Sequence, residues 1–133
     1  MDAIRLEELA TKYAEAWCSG RPENVAAFFA EDGSLSINGG VASVGRSAIT
    51  AAARSFMTDL PDMIVAMDGV SIDGDRATFH WTLTGTNTGP RGTGNAVRIS
   101  GFEEWTLDDD GLIATSMGYF DALDYDRQVR GRS

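Results

Sequence analysis

The chain has 133 residues, 43% hydrophobic and 23% charged, ordinary values for one soluble globular domain able to bury a core. A net charge of −9 and a pI near 4.4 argue against nucleic acid or an anionic membrane surface as partner. No stretch approaches the roughly 18 apolar residues of a membrane span. The N-terminus shows no signal-peptide pattern, and a lone cysteine, Cys18, excludes an intrachain disulfide, so the expected compartment is the cytoplasm.

Residues 3–18 are predicted helical, with Leu6, Leu9, Ala10, Tyr13, Ala14 and Trp17 recurring on one face. Cys18 beside Trp17 reads as a small packed side chain. Ser19 and Gly20 stop this helix, and Pro22 opens a short second one whose Val25, Phe28 and Phe29 face inward. Glu31-Asp32-Gly33 reads as a turn and Ser34–Asn38 as a short strand. A third helix is expected from Arg46 to Met57, burying Ile49, Ala52, Ala53 and Phe56. Strands follow over Met63–Ile72, Ala77–Thr86, Ala96–Leu107 and residues 112–120, with a helical turn over Leu123–Val129. The tail arginines, Arg127, Arg130 and Arg132, read as a solvated end. Helices first and an antiparallel meander after them is an α+β pattern, here a strongly curved antiparallel sheet around the helices, in a single domain spanning 1–133.

The last two long strands form a hairpin about Asp108-Asp109-Asp110-Gly111. The expected register pairs Leu107 with Leu112, Trp105 with Ala114, Glu103 with Ser116, Gly101 with Gly118 and Ile99 with Phe120. Alternation puts these ten on one face, apolar at its ends and small in the middle, with Glu103 standing in the gap. That is the pattern of a pocket wall. The other face carries Arg98, Ser100, Phe102, Glu104 and Thr106, with Ile113, Thr115, Met117 and Tyr119. Desolvation by Trp105, Ile99 and Phe120 would raise the pKa of Glu103, and a neutral acid can donate to a carbonyl or act as general acid. A carboxylate at a wet pocket mouth is the plainer reading.

Several stretches together resemble the SnoaL-like branch of the nuclear transport factor 2-like superfamily. They are Tyr13–Gly20 (YAEAWCSG), Phe28–Gly33 (FFAEDG), Gly45–Ile49 (GRSAI), Gly85–Gly89 (GTNTG), Thr93–Asn95 (TGN) and Tyr119–Asp121 (YFD). The resemblance implies a cone-shaped α+β fold, a deep pocket between helices and curved sheet, and a homodimer. It covers polyketide cyclases, ketosteroid isomerases and limonene epoxide hydrolases. The aspartate that cyclases and epoxide hydrolases share falls on Gly118, and the isomerase base falls on Ile37. The epoxide hydrolases' further arginine and aspartate fall on His80 and Thr82. The isomerase oxyanion donors fall on Tyr13 and Glu103, and Asn87 replaces the histidine of the cyclase Gly-Thr-His segment. The resemblance therefore keeps the polarising half of an isomerase site without its base.

The site expected from these readings has Glu103, Tyr13 and His80 as catalytic groups and Trp17, Phe56, Ser116, Gly118 and Phe120 around the ligand. Tyr13 would share a ligand oxygen with Glu103, or be a core tyrosine. His80 would move a proton if the threonine face of its strand (Thr78, Thr82, Thr84) is concave, or be structural. Asp121 reads as an N-cap, and the Asp108–Asp110 run as a solvated turn. The expected function is proton transfer, isomerisation or aldol-type cyclisation, on an apolar carbonyl compound of roughly drug size, with no cofactor and no metal. The alternative is a non-catalytic ligand-binding or dimer module. Phe79, Trp81 and Leu83, with Phe102, Met117 and Tyr119, would form a convex apolar face for homodimerisation.

Overall fold

A computed structural model describes residues 2–131; Arg132 of the basic tail lies outside them. In chain order the elements are α1 (Ala3–Cys18), α2 (Pro22–Ala26), β1 (Phe29–Ile37), β2 (Ser43–Val44), α3 (Arg46–Asp59), β3 (Ile64–Asp73), β4 (Arg76–Thr86), β5 (Ala96–Leu107), β6 (Ile113–Phe120) and α4 (Ala122–Arg130). The six strands form one curved, unclosed sheet in the order β2-β1-β6-β5-β4-β3, with α1 packed against its inner face. The α+β expectation holds. The all-antiparallel expectation does not, because β1 runs parallel to β6.

Asp2 caps α1 by accepting from the Arg5 N–H at 2.8 Å, and the helix buries Leu6, Ala10, Tyr13, Ala14 and Trp17. Cys18 is exposed rather than packed, yet its Sγ bridges to β3, accepting from Val65 N at 3.2 Å and lying 3.4 Å from Val65 O. The second helix is shorter than expected. Phe29 already belongs to β1, and the Glu31-Asp32-Gly33 turn is an irregularity within that strand, where the register breaks between Phe29 and Ser34. Gly33 suits this spot, since a Cβ there would lie 2.9 Å from Ala30 O and 3.0 Å from Ile113 O.

Two corrections concern which way strands face. Phe79, Trp81 and Leu83 of β4 point into the core, with exposures of 0%, 9% and 6%, and His80 is exposed on the outer face. The threonine–histidine row is the more polar one, and an antiparallel sheet with one solvated face turns that row to water. Phe79 stacks on Trp105 with centroids 5.1 Å apart. The apolar row offered for dimerisation is therefore core. In the hairpin the pairing is two residues further along β6 than expected: Trp105 lies opposite Ser116, Glu103 opposite Gly118 and Gly101 opposite Phe120. A slip of two keeps every face, so the expected pocket face survives. The slip is closed by a bulge at Ala114 between the Thr106–Thr115 and Leu107–Ile113 pairs, which turns Ile113 inward, fully buried, against expectation.

The remaining connections are made by short polar side chains. Asn87 is buried and holds its loop closed, accepting from Thr93 N at 2.8 Å and donating to Asp59 O at 3.3 Å. Asp62 accepts from the N–H and hydroxyl of Thr86, which lower its pKa. Asp121 caps α4 through Asp124 N, as expected, and Asp108 closes the hairpin turn by accepting from Asp110 N and Leu112 N.

Candidate functional site: a buried carboxylate in an aromatic cavity

β5 brings Glu103 onto the inner face of the sheet, where it is 6% exposed. Three neutral donors converge on one of its oxygens. Ser116 Oγ donates to Oε1 at 2.6 Å, Tyr13 OH at 2.9 Å and the Trp105 indole N–H at 3.1 Å. They come from β6, α1 and two residues along the same strand, so three elements fix one carboxylate. Among the described residues, Oε2 takes no hydrogen bond. Oε1 is committed as an acceptor, so any proton on this acid sits on Oε2.

Burial pushes the Glu103 carboxyl above its usual value, and the bonds from Ser116, Trp105 and Tyr13 work against that rise without cancelling it. Burial also holds the Tyr13 phenol well above 10, reinforced by the negative charge of Glu103, so Tyr13 stays a donor. Tyr13 is itself fully buried in an aromatic cluster, 5.1 Å from Trp105, 5.4 Å from Phe79 and 5.7 Å from Phe28.

Beside the carboxylate lies a cavity of about 60 Å³. At roughly 10–15 Å³ for each water-sized position, that is room for roughly four to six non-hydrogen atoms. Pockets for drug-sized ligands are roughly 300–1,000 Å³, so the expected ligand size is not met. The wall is built by Trp17 of α1, Phe56 of α3, Leu35 and Ile37 of β1, Val65 of β3, Trp81 and Leu83 of β4, Ile99 and Glu103 of β5, and Gly118 and Phe120 of β6. Glu103 is the one charged residue in it. The indole N–H groups of Trp17 and Trp81 are buried and, among the described residues, take no hydrogen-bond partner.

Two glycines shape this space. A Cβ on Gly101 would collide with the Tyr119 carbonyl oxygen of β6 and with the Trp81 ring, 2.6 Å from Cζ2, so that glycine lets both the neighbouring strand and the indole lie close. A Cβ on Gly118 would meet Glu103 Cγ and Ser36 O only at 3.6 Å, leaving open room beside the acid. Asn38, with a φ of 52°, accepts from Phe120 N at 2.9 Å and donates to Gly118 O at 2.8 Å, and so ties the pocket end of β6 to β1.

Of the expected site residues, Trp17, Phe56, Gly118 and Phe120 reach the cavity with Glu103. Tyr13 and Ser116 instead end on Glu103 Oε1 from behind it. His80 stands apart: its ring is exposed on the opposite sheet face, 6.0 Å from Phe102, which itself lies 5.2 Å from Tyr119. Sequence reasoning passed over Trp105 as a donor, although its place two residues from Glu103 on one strand carried that signal. It also passed over Leu35 and Val65, which look like any other core residues in sequence, and it put Trp81 and Leu83 on the opposite sheet face although both line the cavity. Positions Gly118 and Ile37, where the resemblance implies aspartates, both line the cavity.

The comparisons with known proteins agree with this architecture. The SnoaL-like domain model matches residues 10–116. A Catenulispora acidiphila protein of ketosteroid isomerase-like fold, solved in complex with trimethylamine, superimposes with a TM-score of 0.83 at 19% identity, over 95% of this chain and 94% of that one. TsrD from Streptomyces laurentii gives 0.82 at 20% identity over 97% of each chain. A candidate SnoaL-like polyketide cyclase from a Jannaschia species gives 0.78 at 16% identity over 100% and 99%. No curated protein sequence matches. The match across most of the chain, on the fold and cavity described above, means that the chain belongs to the SnoaL-like domain family.

Proposed function

We infer that the chain is a proton-transfer enzyme acting on a small apolar carbonyl compound, with Glu103 as its acid–base group. The observation that carries this reading is the division of labour within one carboxylate. Oε1 takes three hydrogen bonds, and Oε2 alone remains free at an otherwise apolar wall. A carboxylate with a raised pKa is a stronger base than an ordinary one, and a water-poor site favours proton exchange with carbon. Oε2 would take a proton from the carbon beside the carbonyl and return it at another carbon, a one-group isomerisation that needs no second base. Tyr13, Ser116 and Trp105 hold the carboxylate in place. His80 has no part, because a sheet lies between it and the cavity.

The test uses pent-4-en-2-one, small enough for the cavity, whose double bond moves into conjugation when a proton is relocated. Wild type should accelerate the shift, Glu103→Gln should abolish the acceleration, and His80→Ala should leave it unchanged. Acceleration that survives Glu103→Gln would refute the role of Glu103.

The second reading is a ligand-binding protein without turnover. It is supported by Gly118 and Ile37, which put no carboxylate at two cavity positions where the catalytic relatives carry one, and by the trimethylamine bound to the Catenulispora protein. No acceleration for any small enolisable ketone, with binding still detected at Trp17 and Trp81, would favour it.

A further inference from the structure

Four aromatic rings stand in the cavity wall with the carboxylate. Trp17 and Phe56 have centroids 6.2 Å apart, Phe56 and Phe120 6.5 Å, and Phe120 and Trp81 6.1 Å. Each ring is steeply inclined to the next, by 78°, 75° and 65°, so the four follow one another edge to face along the wall rather than stacking. Aromatic faces attract cations, and the attraction grows when the site is stripped of water. The remaining wall residues are Leu35, Ile37, Val65, Leu83, Ile99 and Gly118, so among the described residues no Lys, Arg or His of the wall supplies a countercharge to Glu103. Its hydrogen-bond partners are all neutral, and Tyr13 is the one titratable side chain among them. An ionised Glu103 is thus a buried anion with no cationic side chain in its wall, an arrangement that proteins ordinarily avoid.

We propose that the cavity binds small alkylammonium ions, the ammonium N–H donating to Glu103 Oε2 and the alkyl groups lying among Trp17, Phe56, Trp81 and Phe120. This rests on Oε2 being the free group of the proposed active site, and it adds a second ligand class that competes with the carbonyl substrate. The alkylammonium brings its own proton, and any proton on Glu103 leaves to solvent as the pair forms. The volume restricts the class to ions of roughly four to six non-hydrogen atoms, the size of a trialkylated or tert-butyl amine.

The experiment compares tert-butylammonium chloride with tert-butanol, which share a shape and differ in charge. Each is titrated into the full chain at constant ionic strength, following the indole N–H signals of Trp17 and Trp81 and the carboxyl carbon of Glu103. The ammonium should bind at least about tenfold more tightly than the alcohol, as expected for a charge-assisted bond in a dry site. Bound ammonium should also lower the Glu103 titration, which the alcohol should not. Glu103→Gln, checked for folding by its melt, should weaken the ammonium by at least about tenfold while changing the alcohol by no more than about twofold. Phe56→Leu, at a half-buried ring, should weaken the ammonium more than the alcohol. Equal or tighter binding of tert-butanol, or ammonium affinity unchanged in Glu103→Gln, overturns the inference. If the ammonium fails to bind while pent-4-en-2-one still isomerises through Glu103, the inference falls and the proton-transfer reading stands. If neither occurs, both fall.

Discussion

Glu103→Gln separates the two forces acting on this carboxylate. Burial raises its pKa, and bonds from Ser116, Trp105 and Tyr13 lower it, with burial ahead. A carboxyl whose folded pKa is raised keeps its proton longer in the folded than in the unfolded chain. Below the ordinary carboxyl value both states are protonated and no penalty exists. As pH rises above that value, the unfolded chain ionises first, and stability falls by about 1.4 kcal/mol for each pH unit of upward shift. The loss is complete once pH passes the folded pKa. Glutamine cannot ionise and escapes this loss. Its carbonyl can accept the same three donors, but its amide N–H₂ must sit where Oε2 faces hydrocarbon. In acid the variant should therefore lie within about 1–3 kcal/mol of wild type, on the less stable side. Moving from pH 4 toward neutrality, the difference should shift steadily in favour of glutamine and then level off. Urea unfolding of both proteins at intervals from pH 4 to 8 measures the difference directly, and the other carboxylates cancel in the subtraction. A flat difference, or one that moves against glutamine as pH rises, would mean that the three donors overcome burial and hold Glu103 ionised. The raised-pKa base would then have to be given up.

Tyr13→Phe removes one donor while keeping the ring cluster. It should cost roughly 1.5–3 kcal/mol where Glu103 is ionised but only about 0.5–1.5 kcal/mol where it is protonated, so melts at pH 8 and pH 4 should show unequal losses. Gly101→Ala should destabilise by roughly 1–3 kcal/mol through collision with the Tyr119 carbonyl oxygen and the Trp81 ring, while Gly118→Ala, meeting atoms only at 3.6 Å, should stay within about 1 kcal/mol of wild type; equal losses would mean that the β5–β6 register is wrong. Sedimentation at micromolar concentration should show a dimer formed by the outer sheet face, where Phe102, Tyr119 and Met117 (42% exposed) lie together, and Phe102→Glu should shift it toward monomer. A monomer in wild type would refute that use of the face.

Sequence reasoning located the candidate site better than it oriented the strands around it. The α1 face was legible because helical spacing repeats over four turns, and the hairpin face because Glu103 stands out among small residues. A slip of two along β6 did no harm, since the pleat has that same period. The bulge at Ala114 was not legible, as nothing in Leu112-Ile113-Ala114 marks an extra residue. β4 failed for a different reason. Its two rows, Thr78-His80-Thr82-Thr84 and Phe79-Trp81-Leu83, differ in polarity, but a polar pocket and a wet surface ask for the same residues. Only the neighbours decide, and Phe79 opposite Glu103 decides for the inside. Once β4 is turned, the cavity changes character from a mixed wall with a histidine to an aromatic and aliphatic wall with one acid. The parallel β1–β6 pair was hidden as well, because it joins strands far apart in the chain and carries no turn signal.

Gly118 then becomes the position at which this cavity is most exposed to change. It pairs across the sheet with Glu103, lines the cavity, and has open space where a side chain would begin. Gly118→Asp would place a second carboxylate on the same wall, at the position where the cyclases and epoxide hydrolases that the chain resembles carry theirs. Two carboxylates about 4–5 Å apart repel by about 3–4 kcal/mol at an effective dielectric of about 20. Each then raises the other, and the pair titrates as a unit with one member protonated well above the ordinary range. The folded variant thus holds more protons than its unfolded chain, and its stability should fall with rising pH more steeply than that of wild type. Relative to wild type, Gly118→Asp should be only mildly destabilising at pH 4 and should lose a further few kcal/mol by pH 8, read by urea unfolding at the two values. Glu103→Gln in the same background should recover most of the added loss, because one charge alone has no partner to repel. An equal cost at both pH values, with no recovery from glutamine, would mean that the new side chain turns away from Glu103, and that the open space beside Gly118 does not lie on the wall that the acid shares.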